Sequence, residues 1–422
     1  MKIFGYIGCV VLLSFFLFPV SLFFLPPSMN TKMLMGLVGG IFWAYKNIQE
    51  REFAISLGLL GAIGLAIVFS LVCYISTDIN HTADYAYVGY VGSFFAWLTG
   101  AYGACSVIRW LHGECSFRLL VFYLVAVCFA QCVMAMLIDN IVTVKLLVDS
   151  YVNQGQEFFT DKGRLYGIGA ALDTAGVRFS IVLVMLMALL SHNPRVRQST
   201  SSIVLLLLAF FTIAVIGNAI ARTTIIGVAV GIAYFVVFSG LFNVRIRPDA
   251  IRLGTWFSIL LVLTIGIASY LYQTNAQFYE HMRFAFEGFF NWVEQGEWRT
   301  DSTDKLNGEM WIWPQDQQTW LIGSGIFGSF VYSTDIGYCR FILYCGLIGF
   351  SIFALFFVYN GIFFMRRSPQ YAFMFLAFIA MTFVIWVKVA TDIFFIYALL
   401  FCLDRFYEKG NWQLVLAERS GL

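Results

Sequence analysis

The sequence predicts an all-α polytopic integral membrane protein of about twelve transmembrane helices, roughly ten to twelve, carrying two long extracytoplasmic loops. Three observations lead there. Of 422 residues, 60% are hydrophobic and 12% charged, and the mean hydropathy is +0.81, outside the range of a soluble globular domain. Apolar runs near the length needed to cross hydrocarbon recur along the chain. Lysine and arginine gather in every second connection between those runs.

Taken in order, the runs lie near 3–25, 31–46, 53–76, 86–108, 118–138, 173–191, 202–218, 222–242, 254–272, 341–364, 371–388 and 391–403. A crossing of about 30 Å of hydrocarbon needs roughly 20 residues, so the second and last are short and open to a half-spanning role. The first run follows Lys2 and has no small-residue cleavage site ahead of Pro26-Pro27, which is expected of a retained helix, not a removed signal peptide. A single transmembrane domain over 1–422 is therefore expected.

Sidedness follows from the basic residues. Lys46 and Arg51, Arg109 and Arg118, Arg195 and Arg197, Arg245, Arg247 and Arg252, then Arg366 and Arg367 mark alternate loops. With Lys2 and the Arg405, Lys409 and Arg419 tail, they assign those loops and both termini to the cytoplasm. The two long polar excursions, 139–177 and 273–340, then fall together on the opposite side.

Arginines on that side run against the positive-inside bias and mark candidate sites. Arg222 sits in a turn of a few residues, Gly217-Asn218-Ala219-Ile220-Ala221-Arg222-Thr223-Thr224, between two apolar runs. A charge costs about 2.5 to 3.5 kcal/mol at a helix centre and less at the interface, so it persists where it meets a partner or a polar cavity. Two readings stand: an interfacial arginine snorkelling to headgroup phosphates, or a functional anion contact. Arg164 lies among Gly163, Gly167 and Gly169, which permit close backbone approach to a ligand, and Arg178 follows near the mouth of the next helix. With Arg283, Arg299 and Arg340 they make six arginines, whose planar forks suit bidentate contact with phosphate oxygens. A diphosphate-bearing lipid is the natural ligand for such a set.

The second excursion divides in two. Residues 277–292 are dense in aromatics with a few charges, the pattern of one interfacial helix serving as an anchor. Residues 301–318 are polar and are joined by Trp311, Trp313 and Trp320, which could stack on sugar rings or form an interfacial aromatic belt. At its end Asp335, beside Gly337, Tyr338 and Arg340, is the carboxylate best placed to act as a base, with partial burial tuning its proton affinity. A helix cap facing the dipole is the competing role.

Other chemistries find no support in the chain. Net charge is +2, with 26 basic against 24 acidic residues, which gives no basic footprint for nucleic acid. The nine cysteines are scattered in apolar runs without a CxxC pair, and His81, His112, His192 and His281 lack metal-ligand spacing. There is no P-loop, no GxGxxG after a strand, no GxSxG and no HExxH. Lys388 and Asp392, spaced i,i+4, can satisfy each other. No metal and no cofactor is expected. A transporter would show internal repeats and midplane charges, and neither is evident.

The outward Arg222 opening a helix, Trp320-Leu321-Ile322-Gly323-Ser324-Gly325, then Thr334-Asp335-Ile336-Gly337-Tyr338-Cys339-Arg340 and Gly346-Leu347-Ile348-Gly349 resemble the O-antigen polymerase and ligase superfamily. The motifs cover roughly residues 150–365, and the topology covers the whole chain. Ligases of this superfamily usually carry a histidine where this chain has Asp335, so the run looks more like Wzy-type polymerases of O-antigen, capsular or exopolysaccharide repeat units. The resemblance implies a metal-independent, inverting glycosyltransferase of the bacterial plasma membrane. Its substrates would be oligosaccharides on undecaprenyl diphosphate within membrane lipid, and a chain-length regulator and a flippase would be its partners. On that reading Asp335 and Arg222 are catalytic, and Arg164, Arg178, Arg283, Tyr338 and Arg340 bind substrate. The alternatives are an O-antigen ligase acting on lipid A core, and a flippase of the lipid-linked unit.

Overall fold

The computed structural model describes residues 2–26, 29–51, 54–161, 164–242, 247–328, 331–404 and 413–415. Pro27, Lys162, Gly163, Arg245, Arg405, Lys409 and Arg419, used above for orientation and for the glycine-rich loop, lie outside the described residues. The chain groups into two compact units, Met1–Thr31 with Leu111–Thr300, and Lys32–Trp110 with Asp301–Leu422.

In chain order the helices are α1 (Lys2–Leu17), α2 (Thr31–Glu50), α3 (Leu57–Ile79), α4 (Tyr90–His112), α5 (Phe117–Asn140), α6 (Val142–Tyr151), α7 (Gln156–Asp161), α8 (Leu172–His192), α9 (Pro194–Gln198) and α10 (Thr200–Thr212). A π-helical turn, Ile213–Gly217, leads into α11 (Asn218–Ile220). There follow α12 (Thr224–Phe238), α13 (Pro248–Thr274), α14 (Ala276–Ala285), α15 (Glu287–Gln295), α16 (Asp301–Glu309), α17 (Gln317–Leu321), α18 (Gly337–Arg367), α19 (Ala372–Trp386) and α20 (Phe394–Phe401). Two short antiparallel ribbons pair Ser21–Leu22 with Val152–Asn153 and Ala54–Ser56 with Gln413–Val415.

A helix lies on each of the twelve apolar runs, and among the described residues eight are long and apolar enough to cross a membrane. The protein is thus a multi-pass, helical membrane protein by length and composition. Its lateral surface agrees. Helix α13 is buried over only 17% of its apolar stretch and exposes Ile259, Val262, Leu263, Ile265 and Ile267. A face of that kind is stable in hydrocarbon and would aggregate in water. Helix α8, buried over 89%, is by contrast a core element.

In the first unit α8 packs closely on α12 and on the turn before it because glycine stands at both contacts. A Cβ on Gly227 would lie 2.1 Å from the Ser180 Cα, and one on Gly176 would lie 2.9 Å from the Thr223 Cβ. Ser180 Oγ donates to the Thr223 carbonyl at 3.0 Å and accepts from Gly227 N at 3.1 Å, so the turn entering α12 is held from two sides. The first long excursion is itself folded. Val20, Ile138, Val148, Val152, Phe159 and Tyr166 form a small buried cluster beneath it. The buried amide of Gln131 on α5 donates to Ser14 Oγ and the Ile168 carbonyl, and accepts from Ile168 N.

In the second unit α18 is about 46 Å long at 1.5 Å per residue. It breaks at Gly346, whose φ of 63° and ψ of −176° are closed to other residues, leaving Leu347–Arg367, about 31 Å, to match the hydrocarbon. At the break the Leu343 and Tyr344 carbonyls accept from Ser324 N at 2.7 Å and Gly325 N at 3.0 Å. A Cβ on Gly323 would lie 2.2 Å from the Tyr344 carbonyl oxygen, and one on Gly346 would lie 2.2 Å from that of Leu321. The Gly-Ser-Gly and Gly346 motifs are therefore the two halves of one backbone docking. Asn80 and Thr82, just beyond α3, add donors to the Gly323 and Gly325 carbonyls.

The second excursion divides at the boundary between the units, with 273–300 in the first and 301–340 in the second. The single interfacial helix expected over 277–292 is two helices. The chain turns at Phe286 (φ −116°, ψ 29°) between α14 and α15, and Phe290 thereby stacks on Tyr272 at 5.5 Å, 11° from parallel.

Candidate functional site

The first unit brings Arg164 and Arg222 to one aromatic ring. Arg222 occupies the turn between α11 and α12, fixed on one side by the Ser180 contacts and on the other by Thr223 Oγ1 donating to Asp173 Oδ1 at 2.9 Å. Its guanidinium lies 4.5 Å from the centroid of Phe284 on α14 and pairs with Glu287 at the start of α15. Arg164 approaches the same ring to 5.1 Å and the Phe158 ring to 5.8 Å. Burial lowers its proton affinity, and the nearby Arg222 charge lowers it further. A π-helical turn leads directly into this site, and Asn218 Nδ2 donates to the Ala285 carbonyl at 2.8 Å, so α14 is tied to the arginine turn.

Two other expected ligands point elsewhere. Arg283 forms a forked ion pair with Glu294 and covers the Phe290 ring at 4.7 Å, closing the corner between α14 and α15. The pair raises the proton affinity of Arg283 and lowers that of Glu294. Arg178, on α8, has its guanidinium 5.9 Å from the Phe18 ring. The glycines beside Arg164 approach protein: Cβ atoms on Gly167 and Gly169 would meet the Gln131 side-chain oxygen at 2.4 Å and the Phe18 carbonyl oxygen at 2.6 Å. Their role is to pack the loop, contrary to the ligand approach expected of them.

Next to this cluster opens a cavity of about 370 Å³, walled by Asp139, Lys145, Arg164, Tyr166, Glu280 and His281 among others. His281, only 8% exposed, meets Asp139 Oδ2 through Nε2 at 2.9 Å. The Tyr166 hydroxyl donates to Asp149, and burial, ahead of the Asp149 charge, raises its proton affinity. Sequence spacing had excluded His281 as a metal ligand and offered no sign of its partner, which lies on α5. Among the described residues no group of three or more His, Cys, Asp or Glu side chains could hold a metal ion.

The second unit holds Asp335, Tyr338 and Arg340. Asp335 precedes α18 and is exposed, so the partial burial expected of it is absent. It is not the helix cap either: Ile336 holds that position, and its N–H is taken by the Thr334 hydroxyl at 3.2 Å. Arg340 stacks 4.0 Å over the Phe327 ring and donates to the Phe327 carbonyl at 2.8 Å. Asp84 holds the same loop by accepting from Phe327 N and Gly328 N at 2.6 and 2.5 Å. Tyr338 turns its hydroxyl to the Phe383 carbonyl at 3.0 Å, a helix-to-helix contact that occupies the group expected to bind substrate. The cleft beside Arg340 measures about 10 Å³, room for about one water. Trp311, Trp313 and Trp320 form a ladder, with Trp313 and Trp320 stacked at 5.8 Å and 12°.

Comparisons of this chain with protein-family models, with curated proteins and with solved structures return no match.

Proposed function

We propose that the chain is a membrane glycosyltransferase that polymerises oligosaccharide repeat units carried on undecaprenyl diphosphate, in the manner of Wzy-type polymerases. The observation that carries this reading is the pair of arginines on Phe284, next to a cavity large enough for a sugar-sized ligand. Departure of a lipid diphosphate develops negative charge on phosphate oxygens. Cations held in place before the reaction stabilise that charge without reorganising. Arg222, fixed by the α8–α12 contact and by Glu287, and Arg164 beside it, are assigned to those oxygens. The glycosyl–diphosphate bond supplies the driving force, so no nucleotide is required.

Asp335 and Arg340 enter this reading through the sequence resemblance, with Asp335 taking or orienting the acceptor hydroxyl. Twelve crossings, a bacterial plasma membrane, cytoplasmic termini and outward-facing excursions belong to the same proposal. The test is deletion of the gene followed by analysis of lipid-linked intermediates. Single repeat units should accumulate on the outer leaflet and long polymer should vanish. Accumulation on the inner leaflet would identify a flippase, and polymer of normal length unattached to lipid A core would identify a ligase.

A further inference from the structure

The polymerase reading has Asp335 take the acceptor proton or orient the hydroxyl on the strength of the sequence resemblance alone, and the unit that holds the paired arginines carries a different candidate for the proton. The cavity beside them contains a histidine and a carboxylate in contact, joined from α14 and α5 across 142 positions of sequence. We propose that this cavity is the acceptor-sugar subsite and that His281, oriented by Asp139, is the proton acceptor of the transfer step. The inference rests on the polymerase reading and deepens it.

Three features of the cavity support it. First, charged and hydrogen-bonding groups, among them Lys145, Arg164, Asp139, Glu280 and Tyr166, share the cavity with a larger extent of apolar wall. A sugar ring, with hydroxyls at its edge and C–H groups on its faces, can use both kinds of wall. Second, Asp139 holds Nε2 of the imidazole, so Nδ1 is the nitrogen able to take a proton, and the carboxylate stabilises the imidazolium that results. Third, Arg164 lines the cavity and also faces Phe284 and Arg222, which puts the proton acceptor and the diphosphate contacts on connected surfaces of one unit.

The step balances without a co-reactant. The acceptor oxygen gives its proton to His281 Nδ1 and forms the new bond to the donor's anomeric carbon. The bond from that carbon to the diphosphate oxygen breaks, its electron pair leaving with the lipid diphosphate beside the arginines. The imidazolium then returns its proton to water.

Full-length protein in liposomes, supplied with lipid-linked repeat units extracted from cells deleted for this chain, tests the assignment. Wild type should elongate, with a rate that falls on the acid side as the imidazole protonates. His281→Gln should slow elongation about 100-fold or more and lose that acid limb, and added imidazole should restore part of the rate. Asp139→Asn should slow it less, about 10-fold, because the imidazole loses the carboxylate that orients it. Failure of wild type to elongate would sink the polymerase reading itself. Elongation by wild type together with a folded His281→Gln protein of unchanged rate, or a slow one with the acid limb intact, would overturn the proton-acceptor role alone. If His281→Gln does not fold, an Asp139→Asn profile identical to wild type overturns it.

Discussion

Arg164 and Arg222, 58 positions apart in sequence, lie against the same phenylalanine ring, 5.1 and 4.5 Å from the centroid of Phe284. Two cations gathered on one ring repel each other, and the ring's quadrupole, about 0.5 to 2 kcal/mol per contact, and the Glu287 carboxylate paired with Arg222 offset that repulsion. An anion binding here meets Arg164 and shares Arg222 with Glu287.

Arg222→Lys is expected to cost activity although it keeps the charge, since lysine cannot present the planar fork. The loss should be about 10- to 100-fold in elongation rate, corresponding to the roughly 1.5 to 3 kcal/mol of a charge-assisted hydrogen bond. Arg222→Ala should remove long polymer altogether while membrane abundance stays normal. Gel analysis of chain length beside immunoblots of the membrane fraction measures both, and retention of chain length by Arg222→Ala would reject the assignment.

Phe284→Leu keeps an apolar side chain and removes the ring. Substrate affinity should fall about 3- to 30-fold as both cation–ring contacts disappear. Steady-state elongation with varied lipid-linked substrate would show this as a raised KM, and an unchanged KM would mean that the ring only packs.

Gly346→Ala and Gly323→Ala should each destabilise the protein by about 3 kcal/mol or more, combining a backbone conformation closed to alanine with a Cβ 2.2 Å from a carbonyl oxygen. Thermal melting in detergent reads the effect. Gly308→Ala, inside α16 where nothing lies within 4 Å, is the control and should hold Tm or raise it slightly.

Tyr338→Phe should cost about 1 kcal/mol of stability, the net value of its bond to the Phe383 carbonyl, and leave the KM for substrate as it is. A raised KM would return Tyr338 to the substrate contacts that the sequence assigned it.

Asp335→Ala should keep normal abundance, because the side chain is exposed and surface changes lie within about 0.5 kcal/mol. Loss of long polymer in that variant would establish a direct role in the reaction, and retained length would end it.

The helices were legible because burial in hydrocarbon leaves a compositional mark that survives in local windows, and every apolar run carries one. The position of Arg222 in a short turn was legible for the same reason. Its partner was not. Glu287 lies 65 positions away, and nothing in the local pattern distinguishes it from Glu280 or Glu294. The His281–Asp139 contact was hidden more deeply, since residue spacing informs only on groups sharing one helix or turn. Glycines misled in the other direction: Gly167 and Gly169 read as room for a ligand, and each proved to be filled by an amide or carbonyl oxygen of the protein itself.

The docking of Gly323-Ser324-Gly325 onto the Gly346 break makes two shapes into one variable. Helix α18 cannot straighten while the loop's amides occupy its Leu343 and Tyr344 carbonyls, and the loop cannot lift without surrendering those bonds. A spectroscopic label on Leu321 and another on Leu347 would therefore report a single coordinate. Any motion of the polar excursion at this end is, mechanically, a change in the bend of a membrane helix.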